Sequence, residues 1–249
     1  QMTAANHWTK QQLQSWGLKN AQLHAFEFGR CWSSSASSIA LTAPRTVSLH
    51  GIPVAWTPGT NGPVSGEVMM FDVNTEAELA QYAGKLRGKY LMMGEDLKIE
   101  PPNTIIFERL GSDKLNTLKD ADVGARPSYE SAMTKALRAS RKQAYQFNKA
   151  LSAFLVKEQA AGVIYRSSRQ GGLVRVFGKS HKIGETFGVP AIIIEQEDYG
   201  QLLRMLDRKE QPQLTLDIKA QFHDDDKNAY NTIAEIPGTD KNGEVVMVG

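Results

Sequence analysis

Apolar residues return at helical spacing from the first turn of the chain. Met2, Ala5, Thr9, Leu13 and Trp16 share one face and Gly17 follows as a stop, which predicts an amphipathic helix. Residues 21–28 and 39–43 read as strands, set apart by the serine-rich stretch from Ser33 to Ser38. Turn formers crowd residues 56–63 and a strand-like run occupies 67–71, so a new unit is expected to begin near Thr46. Thr75 is placed as an N-cap, with Glu78 as its capping-box partner, for a helix reaching Leu86. Residues 89–93 form a short apolar run between Gly88 and Gly94, of buried-strand length. Residues 95–127 show no sustained period. The longest helix follows, with Tyr129, Met133, Leu137, Ala144, Phe147, Leu151, Phe154 and Leu155 on one face and its stop at Gly162. Residues 163–165, 173–177 and 189–194 are expected as strands, and 197–206 as a helix. Leu214, Leu216 and Ile218 alternate with polar residues as a half-exposed strand. Two more strands, 230–236 and 244–248, are joined by a turn at Pro237, Gly238, Thr239 and Asp240.

The 249 residues are 41% hydrophobic and 22% charged, with 21 glycines and 10 prolines, which excludes disorder, collagen-like repeats and coiled coil. A net charge of +2 is too small to draw the chain to nucleic acid or to an anionic membrane. The lone Cys31 rules out an intrachain disulfide and a cysteine-ligated structural zinc. No run of about 18 apolar residues is present to span a bilayer. Residues 1–8 lack the basic and apolar regions of a secretion signal, so the chain is either cytoplasmic or has lost one. Glu27 is the only acid up to Gly66, a charge-poor opening expected to pack against something. A helical pattern that opens without a cap, and an end at Gly249 straight after a strand-like run, read together as an excised fragment.

Candidate chemistry is sparse. Gly172 and the Gly178-Lys179-Ser180 triplet are separated by five residues where a phosphate-binding loop needs four, and the intervening residues alternate like a strand. His223 with Asp224, Asp225 and Asp226 could offer metal ligands, but adjacent residues rarely converge on one ion, and a solvated acidic turn is the simpler reading. His7, His24, His50 and His181 are scattered. Lys135, Arg138, Arg141, Lys142, Lys149 and Lys157, with no acid among them, make a solvated helix face or a polyanion-binding one. Cys31 lacks a neighbouring base, the serine cluster lacks a Gly-x-Ser-x-Gly elbow, and Trp8, Trp16, Trp32 and Trp56 read as packing residues. No catalytic, cofactor-binding or metal-ligating residue is assigned in this chain.

The run from Asn228 to Gly249, including Ile236-Pro237-Gly238-Thr239 and Glu244-Val245-Val246-Met247-Val248, resembles the entry into the catalytic domain of di-zinc metallo-exopeptidases with a protease-associated (PA) domain. Aminopeptidases and plasma glutamate carboxypeptidase belong to that family. Trp8 to Ala21 resembles its first catalytic-domain helix and the start of the next strand. Residues 84–94, 161–165 and 189–194 resemble successive strands of the inserted PA domain. In the family a His-x-Asp metal motif follows the strand matching residues 244–248, and this chain ends before it.

The resemblance implies a parent enzyme that hydrolyses a terminal peptide bond with water held between two zinc ions and a glutamate as general base. None of those residues maps onto this chain. The expected class is therefore α/β, mixed α+β: a PA-type β-rich domain with packed helices, plus the flanking helix and strands of an incomplete α/β peptidase domain. Residues 1–44 and 223–249 would belong to the catalytic domain and expose apolar surface. Residues 45–222 would be the PA domain, with 95–140 a possible insertion. The chain alone would be inactive, its partners the peptide substrate and the remainder of the catalytic domain, with no nucleic acid and no membrane span. The parent would be secreted or periplasmic. The alternatives are a stand-alone peptide- or protein-binding module and a polyanion-binding protein.

Overall fold

A computed structural model describes residues 2–94, 109–120, 132–240 and 243–247. The chain divides into two compact units, one of Gln1–Trp32, His181–Glu185 and Phe222–Gly249, the other of Ser33–Ser180 and Thr186–Gln221.

In the first unit a helix, α1 (Met2–Ser15), lies against a two-stranded antiparallel ribbon, β1 (Lys19–Glu27) with β10 (Asn228–Glu235). Gly17, at φ +88°, adopts the left-handed conformation that ends α1. The ribbon runs in register from Gln22 opposite Ile233 to Glu27 opposite Asn228. No residue of α1 is buried, and Trp16 is 70% exposed.

The second unit carries the core. Its remaining strands are β2 (Cys31–Ala43), β3 (Val47–Ser48), β4 (Gly51–Pro53), β5 (Val64–Met70), β6 (Tyr90–Met93), β7 (Gly162–Arg166), β8 (Ala191–Ile194) and β9 (Gln213–His223). They form one sheet in the order β3-β2-β9-β5-β6-β7-β8-β4. The centre, β5 to β8, is parallel, and β9 and β4 add to it antiparallel. Central strands covered on both faces read as continuous apolar runs, and β8 is buried at all four residues. Successive side chains leave the sheet on opposite sides. Tyr90 and Met92 pack with Ile164, Ile192, Tyr199 and Leu202, whereas Leu91 packs with Val163, Ile193, Leu151 and Leu155. The first face is covered by α5 (Gln196–Asp207) and the second by the end of α4 (Ala132–Lys157). Every buried hydrophobic residue among those described lies between Ile39 and Ile218.

The ring of Tyr90, wholly buried, lies beside two glycines. A Cβ on Gly66 would stand 3.1 Å from it and 2.4 Å from the Gly88 carbonyl oxygen; one on Gly162 would stand 3.1 Å from it and 2.8 Å from the Pro190 carbonyl oxygen. The Tyr90 hydroxyl donates to the Val64 carbonyl at 2.8 Å, so the ring is satisfied as well as packed. Gly162 is thus a close-packed strand residue. The expected helix stop falls earlier, where α4 ends at Lys157 and Gln159 takes φ +57°.

Several other expectations are corrected. The serines from Ser33 to Ser38 do not separate two strands but lie within β2, exposed on both faces and carried by backbone pairing rather than burial. The helix begun by Thr75 does carry the capping box, with Glu78 accepting the Thr75 N–H at 3.3 Å. It spans only α2 (Glu76–Leu79) and a 3-10 turn, Ala80–Tyr82, because Ala83 leaves helical geometry and Gly84 turns at φ +74°. Along the apolar face of α4 Leu137 and Ala144 are exposed, and burial starts at Phe147. Tyr129 lies outside the described residues. Residues 173–177 form no strand, although Phe177 and Lys179 bond the Ala55 backbone. Residues 244–247 form no strand either, and Pro237 begins no hydrogen-bonded turn. Most of 95–140 lies outside the described residues; within it stands α3 (Ser112–Lys119), which buries nothing and which the apolar pattern did not mark.

Candidate functional site

The acidic turn after β9 is held by its own backbone and neighbours. Arg30 grips Asp224 with two bonds, Nε at 2.7 Å and Nη2 at 2.9 Å, while its guanidinium lies 4.2 Å from the centre of the Phe222 ring. Asp226 accepts the Asn228 N–H at 2.9 Å, and the Cys31 thiol lies 3.7 Å from the Asp226 carbonyl. This is the geometry of a capped turn between β9 and β10. Among the described residues no three His, Cys, Asp or Glu stand together as metal ligands. The Arg30 guanidinium, by hydrogen bonding first and charge second, holds the Asp224 carboxyl below its usual range. A depressed carboxylate contributes stability above its unfolded pKa and loses it as pH falls through the folded one. Acid below the ordinary value of 3.8 should therefore loosen the β1–β10 ribbon, and Asp224→Asn should flatten that dependence. Amide exchange in the ribbon, followed from neutral to acid pH, measures it.

Lys135, Arg138, Arg141, Lys142, Lys149 and Lys157 are all exposed on α4, as a solvated face requires. Ser167, buried at the end of β7, has a hydroxyl that donates to the Leu173 carbonyl at 2.7 Å and accepts the Arg169 and Arg175 N–H groups at 3.1 Å. It is saturated and serves the loop, not a reaction.

The polar groups the sequence did not single out gather at the carboxyl ends of β7 and β8. In open parallel sheets this edge is where ligands are taken. Arg166 pairs in register with Ile194, and Gln196 donates to the Ser167 carbonyl at 3.2 Å. Nε and Nη1 of Arg166 and Oε1 of Gln196 are buried without a hydrogen-bond partner. The His50 backbone N–H donates to Asp198 at 2.6 Å, and His50 Nδ1 lies 3.8 Å from Glu195. Burial, followed by repulsion from Asp198 and Glu197, raises Glu195 above the ordinary carboxylate range. Burial chiefly raises Asp198 too. Among the described residues the edge offers donors, an acceptor and two reluctant carboxylates to a small polar ligand.

Lys179 is the second group missed. Its sequence signal was the discarded Gly-Lys-Ser triplet, and the structure gives it a different setting. The Lys179 ammonium lies 4.6 Å from the ring centres of both Tyr165 and Phe187 and 6.0 Å from that of Phe177. It donates to the Tyr165 hydroxyl at 2.8 Å and to Asn148 Oδ1 at 3.2 Å. Gly178 lets this turn approach Trp56, whose ring a Cβ would meet at 2.5 Å.

The architecture is a mixed α+β fold with an eight-stranded mixed sheet, of the kind found in peptidase structures. It is similar to a peptidase M28 precursor from Shewanella amazonensis, at 19% identity and a TM-score of 0.59, over 96% of this chain and 46% of that one. It is also similar to an aminopeptidase from Aneurinibacillus sp., at 17% identity and a TM-score of 0.52, over 96% of this chain and 44% of that one. At these identities the likeness is one of fold, and this chain spans less than half the length of either structure. No family model and no curated protein matches the sequence. No helix among the described residues is long and apolar enough to cross a membrane.

Proposed function

We propose that this chain is the accessory part of a zinc-dependent exopeptidase, in which a PA domain of residues 45–222 is set between two stretches of catalytic domain, 1–44 and 223–249, and shapes substrate access. One observation carries the reading. Among the described residues the first unit has no hydrophobic core of its own, yet it displays Trp8, Trp16, Ile236, Val245, Val246 and Met247, Val246 being 91% exposed. Apolar surface on that scale belongs against another surface. The rest of a peptidase domain would supply it, and the fold likeness over less than half of two peptidase structures agrees with that arrangement. The peptide substrate and the remaining catalytic domain are then its partners. The two zinc ions implied for the parent would be held by residues outside the described part of this chain. A secreted or periplasmic setting follows from the same family likeness.

The second reading, a stand-alone peptide- or protein-binding module, is favoured by the second unit, whose central strands are covered on both faces from within the unit. Expression of the complete reading frame in which these residues lie separates the two. The exopeptidase reading expects zinc in the purified product and release of terminal amino acids that a chelator abolishes. Neither zinc nor release, with peptide captured by the 249 residues alone, would replace it with the module.

A further inference from the structure

We propose that residues 173–177 are an open strand edge that takes up an extended acidic peptide by β-addition. A peptide carboxylate lies on Arg175, and apolar residues two positions to either side of it lie on Leu173 and Phe177. Only the second unit is needed, so the proposal stands whether that unit belongs to a peptidase or to a separate binding module. Capture by this edge and zinc-dependent release of amino acids are separate measurements.

The backbone of this segment is bonded on one side only. The Leu173 carbonyl and the Arg175 N–H both meet the Ser167 hydroxyl, at 2.7 Å and 3.1 Å, and the Phe177 carbonyl accepts the Ala55 N–H at 3.2 Å. Two positions further on, the Lys179 N–H donates to the Ala55 carbonyl at 2.9 Å. Bonding at 173, 175, 177 and 179, with no positive φ from 173 to 177, is the alternation of a strand whose inner edge is filled. Such a chain turns the N–H and C=O groups of Val174 and Val176 the other way, and among the described residues these have no hydrogen-bond partner. Val176 is 56% exposed, so the outer edge is open to a second chain. The segment has the alternating sequence and half the bonds of a strand, and lacks only the neighbour.

Side chains on alternate residues share a face. Leu173, Arg175 and Phe177 are exposed, while Val174 packs against the second apolar layer. The outward face is thus apolar, cationic, apolar, and a matching strand carries an acid between two apolar residues. The charge around this face has one sign. From Gln159 to Ser180 there are Arg166, Arg169, Arg175 and Lys179 and no acid. The Ser167 hydroxyl accepts the N–H groups of both Arg169 and Arg175 and so draws their backbones together. Both arginines are exposed, and among the described residues neither is in an ion pair. Glu195 meets the loop at Gly172, where a Cβ would stand 3.2 Å from its Oε2, and its side chain is only 18% exposed. Lipid headgroups or nucleic acid would satisfy the arginines, but neither offers alternating N–H and C=O groups to Val174 and Val176. An extended peptide with an acid does both.

The test is fluorescence anisotropy of a labelled peptide, Ser-Val-Thr-Glu-Thr-Val-Ser with a blocked C-terminus, titrated with the 249-residue chain. Saturable binding with a Kd below about 1 mM is expected. Replacing the peptide glutamate by lysine should weaken it at least about 10-fold. Arg175→Glu should reverse that preference and bind the lysine peptide better than the glutamate one, a swap that general loosening of the loop would not produce. The backbone has its own readout. N-methylation of one alternate set of peptide amides should abolish binding, and of the other set leave it within about 2-fold, because one edge of the added strand faces Val174 and Val176. No saturable binding, equal loss from both methylation patterns, or an Arg175→Glu chain that keeps the original preference would each overturn the proposal. So would capture of phosphatidylserine vesicles or of a thymidine oligonucleotide by a chain that leaves the peptide free.

Discussion

Gly162→Val should lower stability more than any surface substitution in this chain. The added Cβ would sit 2.8 Å from the Pro190 carbonyl oxygen, which already accepts the Val163 N–H at 2.9 Å and so cannot move away without opening the ladder between β7 and β8. On its other side stands the Tyr90 ring, pinned by the hydroxyl bond to Val64. Overpacking a well-filled core typically costs about 1–3 kcal/mol. Here the clash is with backbone at the centre of the sheet, where relaxation is dearest, so a loss of about 3 kcal/mol or more is expected. That is a large share of the roughly 5–15 kcal/mol that holds a domain folded. Gly243→Ala, whose Cβ would meet nothing within 4 Å, should change stability by less than about 0.5 kcal/mol. Urea midpoints of the two variants make the comparison. An unshifted midpoint for Gly162→Val would mean that β7 and β8 lie further apart than the structure places them.

Amide exchange should divide the chain just as sharply. The backbone bonds of β6, β7 and β8 sit between two apolar layers and should exchange only through global unfolding. The ribbon of β1 and β10 has two strands, one helix with no buried residue and, among the described residues, no core, an assembly of marginal stability in water. Its opening free energy should be within about 2 kcal/mol of zero, and its amides should exchange at least about 1,000-fold faster than those of β7. If the first unit awaits a partner surface, as proposed above, the ratio collapses in the complete protein. Equal protection of the two units in the isolated chain would count against that role.

Lys179 shows how a site can escape a reading by motif. Gly178-Lys179-Ser180 was legible only as a failed phosphate loop, because the residues that define its setting come from α4, from β7 and from position 187. Arg166 and Gln196 escaped for the same reason: each is an ordinary polar residue until two strand ends place it beside the other's loop. Local chemistry was easier to see. The pairing of Thr75 with Glu78 spans three positions and was visible without any tertiary partner.

By itself the sequence determined the parts whose signal is local and repeated: the alternation of Leu214, Leu216 and Ile218 in β9, the apolar run that became β8, the amphipathic α5 and the glycine that ends α1. Burial of one face, or of both, writes itself into side-chain period, and the period survives without coordinates. Tertiary structure decided what depends on a distant backbone. It drew Ser33 to Ser38 into β2 through pairing that leaves no apolar trace, and made Gly162 a packing residue against Tyr90 and Pro190. It left residues 244–247 without a strand, although their composition suits one, because a strand needs a neighbour and the described residues place none beside them.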